Sequence, residues 1–224
     1  MYIVIAGGGL VGKRLTSLLS KRRHDVVVIE IDPEVCEQLY AETGALAING
    51  NATNMDVLKE ARLGRADVAV ALTGSDSDNM AFCLLANQFG VPRIVGRVRE
   101  PDYETAYRAA GASALTEVTN LVVHQMHMAI EQPGVQRLAS LGSGRAEVVL
   151  VTIPRAARAA GRSIEEIAKD RDFPTDCVFA GIYRSQEDDF MVPRGGEKIA
   201  EGDRVFLAAA GENITRAADY LLKT

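Results

Sequence analysis

Between residue 2 and about residue 115 the chain alternates short, almost unbroken apolar runs with helical patterns, six times over. The runs are YIVIA, DVVVIEID, ALAING, ADVAVALTG, PRIVGRVR and ASAL. Near-continuous Val/Ile/Ala strands separated by helices imply a parallel sheet covered on both faces. The fold class that follows is α/β: a Rossmann-like, doubly wound parallel sheet. Local signals agree with the alternation. In PEVCEQLYAETG, for instance, Pro33 suits a first helical turn and Gly44 ends the helix.

The segment TEVTNLVVHQMHMAIEQPG lies outside the six-strand pattern. It reads as one more helix, with Thr116 or Thr119 as a cap and Pro133 and Gly134 as the stop. Its Leu121, Val122, Val123, Met126, Met128 and Ile130 cover more than one face, which calls for burial on several sides. It is expected to lie at a subunit or domain interface. After Gly142-Ser143-Gly144 the rhythm changes. AEVVLVTIP, DCVFAGIYRS, FMVP and DRVFLAAAG are strand-like, with GRSIEEIAKD and ENITRAADYLLK as helices, giving a small C-terminal α+β domain. The expected division is 1–118 for the Rossmann-like domain, 119–141 for the interface helix and linker, and 142–224 for the α+β domain.

Composition narrows the partners. The chain has 224 residues, 47% hydrophobic and 25% charged, as a soluble globular protein does. A net charge of -5 argues against a nucleic-acid partner. Cys36, Cys83 and Cys177 show no metal-ligand spacing and are read as reduced thiols. No apolar run approaches the roughly 18 residues that cross a bilayer, and the chain begins directly with a strand rather than a signal peptide. No direct membrane insertion is expected; a membrane role would come through a partner.

The chemistry starts at YIVIAGGGLVG, where Gly7-x-Gly9-x-x-Gly12 stands between a strand and a helix. Gly7 allows the tight turn, Gly9 lets backbone amides approach a phosphate, and Gly12 permits close helix–strand packing. The helix N-terminus adds partial positive charge there. Glu30 falls about 20 residues on, at a strand end, where a carboxylate accepts from both ribose hydroxyls and repels a 2′-phosphate. NAD(H) or an adenine nucleotide is therefore favoured over NADP(H). Asp32 is the rival acid on the same face. Two further strand-end loops, Asn51-Ala52-Thr53 and Thr73-Gly74-Ser75, are candidates for adenine, ribose or close backbone contact; turn chemistry and capping are the competing reading. Arg97 is a phosphate ligand or a surface ion-pair partner.

A dehydrogenase, the alternative function, needs an acid or base beside the nicotinamide. His24 lies in the polar turn KRRHD. His124 and His127 are spaced i, i+3 on the interface helix, with Glu131 one turn later, a pattern that collects a metal or serves interface packing. Ser140, Ser143 and Ser163 have no histidine nearby in sequence. Glu165 and Glu166 begin a helix, and Asp188 and Asp189 mark a hairpin turn. No catalytic set emerges, and the chain is read as a non-enzyme.

YIVIAGGGLVG, VVVIEIDPE, INGNATN, VAVALTGSDSDNM, IVGRVREPDY and GASAL appear in that order. AGRSIEEI, VFAGIYRS and FMVPRGGEKIAEGDRVFLAAAG follow. From residue 1 to about 222 the chain resembles the regulator-of-potassium-conductance (RCK) proteins of the Trk/Ktr type, TrkA-like. The resemblance implies a cytosolic regulatory subunit, peripheral to the inner face of the membrane, that binds NAD(H), ADP or ATP. It also implies a homodimer formed through the crossing helix and assembled into a ring beneath a membrane potassium-translocating subunit. Carried over by position, Gly7, Gly8, Gly9, Leu10 and Val11 would line the pyrophosphate and Glu30 would take the ribose. Asn51, Thr73 and Gly74 would complete the adenosine side, and Arg97 would approach the phosphates or the far ribose. Leu10 and Val11 stand where some ATP-responsive relatives carry a basic residue, which leans towards NAD(H). Glu117 matches a position where some relatives hold a cation at the dimer interface. The C-terminal module resembles the family's second ligand or assembly domain.

Overall fold

The computed structural model describes residues 1–131, 133–141, 145–185 and 187–224. The chain divides into two compact units, Met1–Leu121 and Val122–Thr224.

The first unit runs β1 (Tyr2–Ala6), α1 (Leu10–Lys21), β2 (Asp25–Glu30), α2 (Pro33–Thr43), β3 (Leu46–Asn49) and α3 (Met55–Glu60). It continues with β4 (Val68–Ala71), α4 (Asp76–Gln88), β5 (Ile94–Val98), α5 (Glu104–Ala109) and β6 (Ala114–Glu117), after which α6 (Val118–Glu131) begins. The six strands form one parallel sheet in the order β3-β2-β1-β4-β5-β6. Successive side chains of β1 point to opposite faces, and both faces are buried. Ile3 and Ile5 join Val26, Val28 and Leu39 in one core layer; Val4 and Ala6 join Val27, Ile29, Leu58 and Phe82 in the other. The unbroken apolar runs of the sequence have this origin. Helix ends follow local chemistry. Asp32 caps α2 ahead of Pro33, and Gly44 closes it in the left-handed region at φ 68.

Two local expectations shift. Thr116 lies within β6 and Thr119 inside α6, so neither flanks the helix start as a cap would. The sixth strand is ALTE rather than ASAL, because pairing with β5 runs on to Glu117 opposite Val98.

The second unit holds β7 (Val135–Leu141), β8 (Ala146–Thr152), α7 (Ile164–Ala168), β9 (Cys177–Arg184), β10 (Asp189–Met191), β11 (Arg204–Ala209) and α8 (Gly211–Leu222). Its sheet is antiparallel in the order β10-β9-β11-β8-β7. Val149, Val151, Ile182, Val205 and Leu207 pack with Ile167 of α7 and with Ile214, Ala217, Ala218 and Leu221 of α8. A capping box opens α7, in which Ser163 Oγ accepts from the Glu166 N–H and Glu166 accepts from the Ser163 N–H. Residues 135–141, expected to be linker, are an edge strand paired with β8. The expected boundary at Gly142-Ser143-Gly144 lies outside the described residues. Among the described residues no helix is long and apolar enough to cross a membrane.

Candidate functional site

In the first sheet β1 lies between β2 and β4, so the chain reverses its direction of winding there. A crevice outside the carboxyl ends of strands opens at such a switch point. Here it is a cleft of about 460 Å³, walled by the loops that follow β1, β2 with β3, and β4.

The β1 wall is set by glycine sterics. Gly7 has φ 105, and a Cβ on it would lie 2.9 Å from the Leu72 carbonyl carbon. A Cβ on Gly12 would lie 2.0 Å from the Gly7 carbonyl oxygen, which no side chain survives. Gly9 differs, since a Cβ there meets nothing within 4 Å and would project into open space. It flanks the start of α1, where no side chain caps the helix and no acid occupies the first turn. The first N–H groups of α1 thus present their partial charge at the cleft. Leu10 and Val11, both exposed, line it beside them.

The second wall centres on Glu30. Its Oε2 accepts from the Gly8 N–H at 2.6 Å; its Oε1 accepts from Ile31 at 2.8 Å and Asp32 at 3.1 Å. Three amides hold the carboxylate at the end of β2, beside the glycine turn. Gly8 therefore stands behind the cleft as the anchor of Glu30. Ile31, 67% exposed, lines the cleft next to it, an apolar surface that the strand pattern alone did not single out. Asp32 turns away to cap α2 through Glu34 N at 2.9 Å and Val35 N at 3.5 Å, and is not among the lining residues. Asn51 and Ala52 line the cleft. The Asn51 side chain accepts from the Thr53 N–H and hydroxyl, both at 2.8 Å, and Thr53 serves that turn rather than the lining.

The third wall, Thr73-Gly74-Ser75, is held by side chains from distant positions. Buried Asn79 accepts from the Thr73 N–H and hydroxyl at 2.8 Å and donates to the Thr73 and Arg97 carbonyls at 3.3 and 3.4 Å. Arg97 Nη2 donates to the Thr73 carbonyl at 2.6 Å, while its buried Nε has no partner among the described residues. Arg99 donates to the Gly74 carbonyl. Asp76 accepts from the Arg99 and Glu100 amides at 3.0 and 3.1 Å and from the Tyr107 hydroxyl at 2.8 Å. Burial alone would raise the Asp76 carboxyl, but these donors outweigh it and hold it below the usual carboxylate range. Burial first, and the bond to Asp76 second, push the Tyr107 hydroxyl upward. Ser75 caps α4 through Asp78 N. Asp76, Asn79, Arg99 and Tyr107 escaped the sequence reading. A Ser-Asp-Ser-Asp run looks like helix capping, and nothing local ties it to a tyrosine 31 positions on.

Glu117 ends β6, at the edge of the sheet, and does not line the cleft. Among the described residues no group of three or more His, Cys, Asp or Glu is arranged to hold a metal. His127 pairs with Glu131 at 3.2 Å on α6; the His124 side chain lies outside the described residues.

A doubly wound sheet with a glycine-turn cleft at its switch point, followed by a small antiparallel domain, defines a two-domain protein built on a Rossmann-type nucleotide-binding fold. Residues 3–119 match the TrkA-N domain and residues 148–222 the TrkA-C domain, and the chain belongs to the TrkA family. It is similar to a "Trk system potassium uptake protein TrkA homolog" of Methanothermobacter thermautotrophicus, 32% identical over 218 residues, covering 97% of each chain. Among solved structures it is similar to the "GsuK channel bound to NAD", with TM-score 0.69 and 21% identity over all of this chain and 39% of that one. It is also similar to "GsuK bound to ADP", with TM-score 0.54 and 25% identity over 58% of this chain and 34% of that one. The chain spans about half the length of several other curated relatives.

Proposed function

We propose that this protein is a cytosolic, nucleotide-sensing regulatory subunit of a Trk-type potassium transport system. The observation that carries the ligand is the open position at Gly9 beside the uncapped start of α1, with the pinned Glu30 carboxylate next to it. NAD(H) is the favoured ligand, with ADP or ATP as the alternatives. The α1 amides and Arg97 would hold phosphates, and Glu30 would take the adenosine ribose. Ile31 and Ala52 supply apolar surface on that side; Thr73 and Gly74 form the other end. The relatives' names support the potassium role, and the NAD- and ADP-bound GsuK structures support the ligand class.

The bound nucleotide acts here through its binding energy. It shifts the protein between two conformations only by its difference in affinity for them. A coupling of roughly 1–3 kcal/mol changes the partner's activity severalfold to about a hundredfold. The partner is a membrane potassium-translocating subunit, reached from its cytosolic side. The exposed Val122, Val123, Met126 and Ile130 of α6 support a homodimer through that helix, the unit of a larger ring.

Calorimetric titration of the wild type and Glu30→Ala with NAD, NADH, ADP and ATP tests the first step. The variant is expected to bind about tenfold to a hundredfold more weakly, the loss of charge-assisted ribose bonds. A wild type that binds none of the four, or equal affinities in the two proteins, would overturn the reading.

A further inference from the structure

We infer that the cleft selects its ligand by charge, and that Asp78 is the residue that favours an oxidised nicotinamide over a reduced one and disfavours additional phosphates. The inference rests on the nucleotide reading above.

Three charged side chains line the cleft: Glu30, Arg97 and Asp78. Two of them already have partners in the chain. Glu30 takes three backbone amides, and Arg97 donates to the Thr73 carbonyl. Asp78 is different. It sits in the exposed first turn of α4, its N–H bonded to Ser75 Oγ, and its carboxylate makes no hydrogen bond or ion pair with the described residues. It is an acid on the cleft lining whose side chain has no partner among the described residues.

Its place decides which part of a ligand it meets. Glu30, Ile31 and Ala52 belong to the β2–β3 side of the switch point, whereas Thr73, Ser75, Asp78 and Arg97 belong to the β4–β5 side. A dinucleotide spans both sides, and the acid at the end of β2 takes its adenosine ribose. The second nucleoside therefore falls on the Asp78 side. NAD and NADH differ there by one positive charge on the nicotinamide ring. A nearby carboxylate attracts the cationic ring and gains nothing from the neutral one. A phosphate tail in place of the second nucleoside would bring negative charge to the same side. Arg97 is the one cationic side chain among the described lining residues to meet it, since Leu10 and Val11 are apolar. One charge pair in a partly wet cleft changes affinity by about two- to tenfold.

The competing role for Asp78 is a solvated acid that steadies the start of α4. That role moves the melting temperature and leaves ligand ratios untouched, so a ratio separates the two. The experiment is a calorimetric titration of the wild type and Asp78→Asn with NAD, NADH and ATP at low and high salt. The wild type is expected to bind NAD more tightly than NADH. In Asp78→Asn the NADH-to-NAD ratio of Kd values should fall about two- to tenfold and ATP should bind more tightly. High salt should reduce the wild-type preference in the same direction. The same ratio in both proteins, with binding otherwise intact, overturns the charge inference and leaves the nucleotide site standing. Failure of every nucleotide to bind the wild type overturns the underlying reading instead.

Discussion

The two loops that meet at the switch point are held by opposite means. After β1 the backbone is shaped by what is missing: Gly7 and Gly12 leave no room for a Cβ, and Gly9 borders open space. After β4 the backbone is shaped by what has been added: buried Asn79 of α4 and half-buried Arg97 of β5 hold the peptide groups of Thr73, and Arg99, just past β5, holds the Gly74 carbonyl. The first wall is a rigid cradle set by sterics. The second is a fastened loop, held by bonds that a substitution can undo one at a time. Under the proposed sensing role, that division would let one wall bind and the other report.

The largest effect is expected at Gly12. Gly12→Ala places a methyl group 2.0 Å from a carbonyl oxygen, and a loss of about 3 kcal/mol or more in unfolding free energy is expected by denaturant titration. Asn79→Ala comes next. It strips the Thr73 amide and hydroxyl of their buried acceptor, at a cost of about 2–3 kcal/mol, and should raise amide exchange at residues 73–75 while sparing residues 7–12.

Asp76→Asn should cost less, about 1–2 kcal/mol at neutral pH. Its sign with pH follows from the depressed carboxyl. The charged form is favoured in the folded protein, so the stabilisation is present above the ordinary value of 3.8 and is lost as pH falls through the lower folded value. Thermal melts of wild type and variant should converge below about pH 4; a constant gap down to the lowest accessible pH would mean that the charged Asp76 carboxylate does not stabilise the fold. Gly9→Ala is the smallest in stability, within about 0.5 kcal/mol, because its Cβ meets nothing. The same variant should lose at least about tenfold in nucleotide affinity, as an obstructed pyrophosphate seat would.

These contrasts track what the sequence made legible. Gly7, Gly9, Gly12 and Glu30 stand at spacings imposed by one turn and one strand, so a short-range pattern carries them. The doubly wound sheet was legible for the same reason, since burial on both faces writes itself into every strand. Asp76, Asn79 and Tyr107 act through partners 6 to 31 positions away, and no local pattern encodes such a pairing. Asp32 and Thr53 illustrate the converse. Each has the right chemistry at a strand end, yet capping and turn formation use it locally. Strand β7 was missed because its edge position and irregular pairing with β8 blur the period-2 pattern.

In the proposed function the cleft at the β1–β4 switch point is the nucleotide site. Hydrogen exchange of the full chain, with and without saturating NADH, tests it most directly. Slower exchange is expected at the amides of residues 8–12 and 31–32 and at residues 73–75. Unchanged exchange in these segments, with protection in the 122–224 unit instead, would contradict it.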